Sequence, residues 1–465
     1  MLFNSFTFIA LFAITFIVYY LPPMRKFQIF ILIVASLIFY AWKLPMLTLV
    51  LLLTAAINAV ASYFVFQKPE HKKIFAFLGI TANIAILAFF KYRGMILTTF
   101  LPRLTSPGEL LLLIPLPLGI SFYTFKGISL LMDSLRADGS KKFIPKGITA
   151  HSVKSLLYIS FFPQVLAGPI ERAGAFFPQI SDKRMSDIDW ERCIKTIILG
   201  YFLKMVVADN LKDQTFWIAY PYFIEFSTQF LITMLFGYSI QMFADFAGYS
   251  LVAIGISALF GYNVKDNFLF PYISKSFSEF WRRWHISLST FMRDYLYIPL
   301  GGNRRGKLRT YLNLVIVMFL VGLWHGAGWS YAFWGTLHGI ALAIERFFRG
   351  VIILPRSKIV NALRMIIVFS LVSFAWIFFK LPNFSHVIKF IEVLKDNTHA
   401  QSFPVTNFLV YWYSMPVIIY HFLYLYQTKP IVLWLKKYEY ALYAFLLFII
   451  TTNSGSPNAF IYFQF

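Results

Sequence analysis

Residues 6–42 read FTFIALFAITFIVYYLPPMRKFQIFILIVASLIFYAW, and this stretch decides what kind of protein the chain makes. One apolar run ends at Leu21 and a second extends from about Phe27 to Trp42, with only Met24-Arg25-Lys26 as a charged break. An apolar helix of roughly 20 residues crosses the hydrocarbon core of a bilayer. Met1 to Phe6 carries no charged side chain, and no small-residue cleavage site closes the first run, so a retained first span is expected rather than a signal peptide. Lys43 alone follows the second run, and a third run ends at Gln67-Lys68-Pro69-Glu70-His71-Lys72-Lys73. The loops alternate basic, nearly neutral, basic. The positive-inside bias then puts the N-terminus outside and the Arg25 and Lys72 loops in the cytoplasm.

Composition extends this reading to the whole chain. Of 465 residues, 59% are hydrophobic and 13% charged, against about 45–50% and about 25% in soluble domains. That fraction supplies about 274 apolar residues, enough for about 11–13 spanning or re-entrant helices. The expected fold is an all-α polytopic membrane protein, one membrane domain over 1–465. The net charge of +22 sits in short loops, which fits cytoplasmic orientation and contact with anionic headgroups, not nucleic acid. A single Cys193 excludes a disulfide framework and any cysteine-based zinc site.

Further apolar runs lie near 74–90, 109–132, 151–167, 193–208, 227–260, 311–324, 330–348, 362–380, 405–426 and 439–452. Residues 227–260 suit two short segments or one long tilted one. Interior prolines make Leu113-Ile114-Pro115-Leu116-Pro117-Leu118-Gly119 a poor continuous helix, and a re-entrant element is expected there. Ser181 to Lys195 mixes acids, bases and apolar residues as a helix lying at the interface would.

Residues 265–309 break the pattern. Nine basic residues (Lys265, Lys275, Arg282, Arg283, Arg293, Arg304, Arg305, Lys307, Arg309) face three acids (Asp266, Glu279, Asp294), interleaved with Phe280, Trp281, Trp284, His285, Tyr295 and Tyr297. Such a stretch suits a basic, aromatic-lined cytoplasmic mouth for an anionic ligand with a flat ring, such as a nucleotide cofactor, because arginine grips phosphate and stacks on rings. Leu300-Gly301-Gly302-Asn303 would let backbone N–H groups approach a phosphate. The competing reading is a helix that binds lipid headgroups.

Val321-Gly322-Leu323-Trp324-His325-Gly326-Ala327-Gly328-Trp329 sets a histidine in an apolar run. Such a side chain faces a cavity or a partner, and imidazole suits a general base toward a hydroxyl. Gly322 and Gly326, four apart, would share a face and admit a second helix. His338, thirteen residues on, falls about 220° around a helix from His325 and reads as structural, with Gly335 and Gly339 beside it for packing. His71, His151, His386, His399 and His421 read as loop or span-end residues. No close ligand pair supports a metal, and no Gly-x-Ser-x-Gly elbow supports a nucleophilic serine.

These residues resemble the membrane-bound O-acyltransferase family, in the bacterial branch that holds the alginate O-acetyltransferase membrane subunit. The resemblance rests on 117–125 (PLGISFYTF), 162–170 (FPQVLAGPI), 245–250 (DFAGYS), 279–289 (EFWRRWHISLS), 293–303 (RDYLYIPLGGN), 323–326 (LWHG) and 460–465 (FIYFQF). It runs in order through nearly the whole chain. It implies a ring of tilted helices around a thinned centre with a central catalytic tunnel. The family's essential histidine falls on His325 and a second functional position on His285. The implied donor is acetyl-CoA, and no metal is implied. The implied partner is a periplasmic acetyltransferase that modifies alginate, peptidoglycan or another surface glycan.

The expected activity is therefore transfer of acetyl from cytoplasmic acetyl-CoA outward across a bacterial inner membrane. His325 would act as base and His285 would position or polarise the thioester. Arg282, Arg283, Arg304, Arg305, Asn303 and Trp284 would hold the CoA, and membrane lipids would surround the chain. The chain contains no Gly-Asp-Ser segment of the esterase-like acetyltransferases, so a separate protein would finish the transfer. Two alternatives remain open: D-alanine transfer from a carrier protein to teichoic acid, and a transporter without chemistry. With the basic stretch inside, His325 lies about 20 Å along its helix, and Trp329 and Ser330 would face outside.

Overall fold

In the computed structural model the described residues are 1–100, 114–136, 145, 147–349, 355, 357–396 and 401–456. They form helices joined by turns; the 460–465 segment and residues 109–113 of the expected 109–132 run lie outside them. Among the described residues seven helices are long and apolar enough to cross a membrane: Pro22–Ala41, Pro45–Gln67, Pro69–Ile96, Thr228–Leu259, Lys307–His325, Lys358–Lys380 and Pro404–Leu425; Phe6–Tyr20 is a shorter apolar helix. Their outward faces carry Ile9, Phe30, Leu49, Phe77, Ile366 and Trp412, all exposed as lipid-facing residues are. The protein is all-α and crosses the membrane several times.

Contacts group the chain into two compact units, Met1–Ile197 with Val252–Lys265, and Ile198–Leu251 with Asp266–Phe465. In the first unit, Ser5 caps the opening helix by accepting from Phe8 N–H at 3.3 Å. Apolar packing alone gives little specificity between helices in lipid, so buried polar pairs set the register. Asn58 and Asn83 exchange side-chain amide bonds at 3.0 and 2.8 Å and join the Thr48–Gln67 and Lys72–Leu87 helices. Gly127 packs onto Asn58 so closely that a β-carbon would lie 2.4 Å from its Nδ2. His151 is not a loop residue: it is buried in the Ile148–Ser160 helix and bonded through Nε2 to Ser62 Oγ at 2.8 Å. Residues 114–119 are non-helical, and the chain becomes helical only at Ile120, after Gly119 turns with φ +72°. The mixed-charge stretch at 181–195 holds a short 3-10 helix, Met185–Asp187, and becomes α-helical from Trp190, running to Tyr201.

In the second unit the long run resolves as one helix, Thr228–Leu259, which gives its first 24 residues to this unit and the rest to the other. The Lys307–His325 and Trp329–Phe348 helices form a tight hairpin. Gly322 lies where a β-carbon would sit 2.2 Å from the Tyr331 carbonyl oxygen, and Gly335 where one would sit 2.1 Å from that of Met318. Any side chain at either position collides with backbone, which is why both are glycine. Gly326, like Gly322, admits the second helix at Tyr331, where a β-carbon would lie 2.3 Å from the ring. It ends the helix in extended backbone, φ −156°, and its α-carbon lies against the Tyr331 ring. His421 lies one turn from the end of the Pro404–Leu425 helix, buried and bonded through Nδ1 to the Val417 carbonyl at 2.8 Å.

Candidate active site

His285 and His325 both lie in the second unit, both buried, with ring centres 6.4 Å apart. His325 is the last residue of its helix, and the Gly326-Ala327-Gly328 break leaves its ring among Trp324, Trp334 and Phe379 at 4.9, 5.3 and 5.2 Å. His285 precedes the Ile286–Met292 helix in the left-handed conformation, φ 44°, ψ 54°. A non-glycine residue there is strained by about 1–2 kcal/mol and persists only where its surroundings hold it.

Asn267 supplies that hold. Its Oδ1 accepts from the Ser287 backbone N–H at 3.2 Å and from Ser287 Oγ at 2.8 Å, while its backbone carbonyl accepts from Ile286 N–H at 2.9 Å. Its Nδ2 donates to Ser250 Oγ at 3.2 Å. The backbone donor fixes which side of the amide is oxygen. The His285 Nδ1, 3.2 Å from that same Oδ1, must therefore carry the proton and donate. The other ring nitrogen, Nε2, is then the accepting one. Burial pushes the His285 imidazole down from 6.5 to about 3, so the ring is neutral at physiological pH.

The 245–250 stretch organises what surrounds this ring. Phe246 meets His285 edge-on at 4.6 Å, and Ser250 takes the Asn267 amide. Asp245 lies 2.7 Å from Lys204 Nζ, which also meets Asp209 at 2.7 Å, all three buried. Gly248 lets the backbone of Gly200 and Lys204 approach to 2.7 and 2.8 Å of a would-be β-carbon. Burial raises the Asp209 carboxyl to about 6 despite the lysine.

The other expected site residues are dispersed. Trp284 is fully buried, packed against Phe280, Phe268 and Trp376 at 5.5, 5.0 and 5.1 Å, so it supports the loop and offers no face to a cofactor. Arg283 is held by Glu279 at 2.9 Å and by the Leu269 carbonyl at 3.0 Å. Arg282, Asn303, Arg304 and Arg305 are exposed. The last three belong to a turn whose Gly301 and Gly302 take φ +106° and +54°, and Asn313 pins it by donating to the Gly302 carbonyl at 3.0 Å. Ser330 does not face out: it is buried and donates to the Phe378 and Leu381 carbonyls, whereas Trp329 is exposed. His338 is near His325 in space despite the helical-wheel expectation, because the chain reverses at Gly326–Gly328 and Trp334 lies between the two rings, 5.3 and 4.7 Å from them. Asn267, eighteen residues before His285, had no local motif to mark it.

Residues 37–388 match the model of the membrane-bound O-acyltransferase family. The peptidoglycan O-acetyltransferase of Helicobacter pylori is 36% identical over 389 residues, covering 78% of this chain and 72% of that protein. A probable alginate O-acetylase of Azotobacter vinelandii is 36% identical over 399 residues, covering 82% and 76%. The teichoic acid D-alanyltransferase of Bacillus subtilis is 29% identical over 284 residues, covering 58% and 70%. A family match over most of the chain, on an all-helical membrane protein with two buried histidines side by side, leads to one conclusion: the chain belongs to the membrane-bound O-acyltransferase family, and is an O-acyltransferase.

Proposed function

We propose that this chain transfers acetyl from cytoplasmic acetyl-CoA to an extracytoplasmic acceptor in the O-acetylation of a cell-surface polysaccharide, working with a periplasmic partner protein from the bacterial inner membrane. The observation that carries the reading is the pair of buried imidazoles with ring centres 6.4 Å apart, one held in a single tautomer. In this reading His325 is the general base. It takes the proton of the acceptor hydroxyl as the oxygen attacks the thioester carbonyl, and returns it to the CoA sulfur as the C–S bond breaks. The imidazolium formed meanwhile sits at a helix C-terminus, the end that favours positive charge. His285 has a different part. As a neutral ring whose Nε2 carries no proton, it can accept a hydrogen bond and so orients the acceptor hydroxyl or an amide of the pantetheine arm. Polarising the thioester carbonyl would require a donor, which this tautomer lacks at Nε2.

The exposed Arg282, Arg304 and Arg305 are the cations suited to the CoA phosphates. Acetyl rather than D-alanyl transfer is favoured because the O-acetylating relatives match at 36% over 78–82% of the chain, against 29% over 58% for the D-alanylating one. The deciding experiment uses proteoliposomes and acetyl-labelled CoA. The wild type should transfer label to a polysaccharide acceptor supplied with the partner protein, and His325→Ala should lose roughly 10²–10⁴-fold in rate. Full activity in that variant, inserted and folded, would remove His325 from the chemistry. Reaction with an acyl-loaded carrier protein, but never with acetyl-CoA, would replace the donor.

A further inference from the structure

A recess reaches His338, which one tryptophan, Trp334, separates from His325. A groove of about 910 Å³ runs between the Trp329–Phe348 and Lys358–Ala375 helices, a size in the roughly 300–1,000 Å³ range of ligand-binding clefts. Its walls are apolar and face the bilayer: Ile340, Ala341 and Ile344 on one helix, Ile367, Leu371 and Phe374 on the other. Buried Val368, Ala375 and His338 close its floor. From Arg364 to Ala375 the wall is twelve residues long, eleven helical rises or about 16 Å, the depth of one leaflet of a roughly 30 Å hydrocarbon core.

One end of the groove is charged and the other is not. Lys275, Arg349 and Arg364 stand at that end against a single carboxylate, Glu345. Glu345 is engaged by Arg349 at 2.6 Å and by the Ser278 N–H at 3.1 Å. The Arg364 side chain is anchored there by its Nε, which donates to the Lys275 carbonyl at 3.0 Å. Three cations against one anion leave two net positive charges at the same end of the helices as Lys307 and Lys358. The positive-inside bias turns that end toward the cytoplasm.

We propose that this groove binds one acidic phospholipid of the inner leaflet, its acyl chain between the two helices and its phosphate among Lys275, Arg349 and Arg364. The charge balance selects the class of lipid: an acidic headgroup gains from both net charges, whereas a zwitterionic one brings its own cation to the same place. Each basic side chain near a membrane surface favours an anionic lipid by roughly fivefold, so a preference of about tenfold or more is expected.

The test uses the full chain in phosphatidylcholine vesicles containing a small fraction of photoactivatable lipid, either phosphatidylglycerol or phosphatidylcholine with a diazirine on the acyl chain. Cross-linked peptides are mapped by mass spectrometry. Phosphatidylglycerol should label residues 340–348 and 364–375 about tenfold more than phosphatidylcholine does, and both should label the Gln28–Ala41 helix alike. Arg349→Gln with Arg364→Gln should bring the two lipids level in the groove. Ala341→Trp, which fills the groove without touching its charges, should suppress labelling by either. If that variant fails to insert, the comparison of the two lipids on the wild type still decides. Equal labelling by both lipids in the wild-type groove, or labelling by phosphatidylglycerol confined to other faces, overturns the proposal.

Discussion

Asn267 is the residue whose substitution says most about the site. Its side chain takes part in four contacts: with Ser287 N–H, Ser287 Oγ and His285 Nδ1 through Oδ1, at 3.2, 2.8 and 3.2 Å, and with Ser250 Oγ through Nδ2 at 3.2 Å. Asn267→Ala removes all of them. A buried polar group left without a partner costs about 1–3 kcal/mol. The two serine hydroxyls can re-aim, so a loss near 2–4 kcal/mol of stability is expected. The left-handed His285 backbone keeps the Ile286 N–H bond to the residue-267 carbonyl but loses its side-chain restraints, and a reacting group displaced by about 1 Å costs about 10²-fold in rate. Asn267→Asp separates the two effects, because it keeps an accepting oxygen beside Nδ1 while adding a negative charge. A carboxylate so close raises an imidazole by about 1–3 units, from about 3 in the wild type. The sign follows from that depression. Wild-type His285 stays neutral when folded, while unfolded it protonates near 6.5. The fold is therefore penalised increasingly as pH falls from 6.5 toward 3, and the carboxylate narrows that window. A pH–rate profile of label transfer from acetyl-CoA in proteoliposomes should show the acid limb of Asn267→Asp displaced upward by about one unit or more. Its plateau should stay nearer the wild type than that of Asn267→Ala. An unmoved limb in Asn267→Asp, together with near-normal turnover in Asn267→Ala, refutes the tautomer argument.

Charge reversal at Arg304 and Arg305 should raise KM for acetyl-CoA more than it lowers kcat, since binding common to ground and transition states is what such contacts supply; a pure kcat effect in steady-state assays would move the CoA contact elsewhere. Lys204→Met strands two buried carboxylates, Asp209 and Asp245, and should cost about 3–5 kcal/mol, visible as a lowered melting midpoint in detergent, which a double change of both aspartates to asparagine should partly restore. Gly335→Val drives a side chain into the Met318 carbonyl and should abolish assembly of the hairpin, read as lost monodispersity on size exclusion. In a Cys193→Ser background, Trp329→Cys should react with an impermeant thiol reagent outside intact cells, and Lys275→Cys only once the membrane is opened; the reverse pattern would invert the direction of transfer.

Much of this architecture is legible in the sequence because a bilayer imposes its own arithmetic. Apolar runs separated by basic loops make helices, and the glycines at 322, 335 and 339 mark close helix approach in the sequence itself. His325 stands out for the same reason, as a polar ring between glycines in an apolar run. What escapes is everything that depends on a reversal or on distant residues meeting. A helical wheel carried from His325 to His338 fails because the helix stops at Gly326. Trp284 looks like a stacking surface from its basic neighbours, yet those neighbours exist partly to hold a buried turn: Arg283 returns to Glu279 and to the Leu269 carbonyl. Asn267 carries no signal because its worth lies in a chain reversal that brings it against Ile286 and Ser287.

The Asp245–Ser250 segment explains why these distant residues behave as one unit. At 100° per residue, Phe246 and Ser250 fall within about 40° of each other on the helix, and Asp245 and Gly248 within about 60° on a different face. The first face serves the histidine: Phe246 packs edge-on against the His285 ring, and Ser250 accepts the Asn267 amide that fixes the ring's tautomer. The second face serves the buried lysine, with Asp245 on Lys204 and Gly248 against its backbone. One rigid helical turn thus ties a charged anchor to an imidazole held in an unfavourable backbone conformation. Breaking an ion pair on one face tilts the turn that positions the ring on the other. Lys204→Met should therefore lower turnover as well as stability, although the Asp245 it holds lies on the opposite face of the helix from His285. Were the two faces independent, the Lys204→Met protein that survives purification would keep wild-type kcat and the wild-type pH profile; a shifted acid limb in that protein is what the shared helix requires.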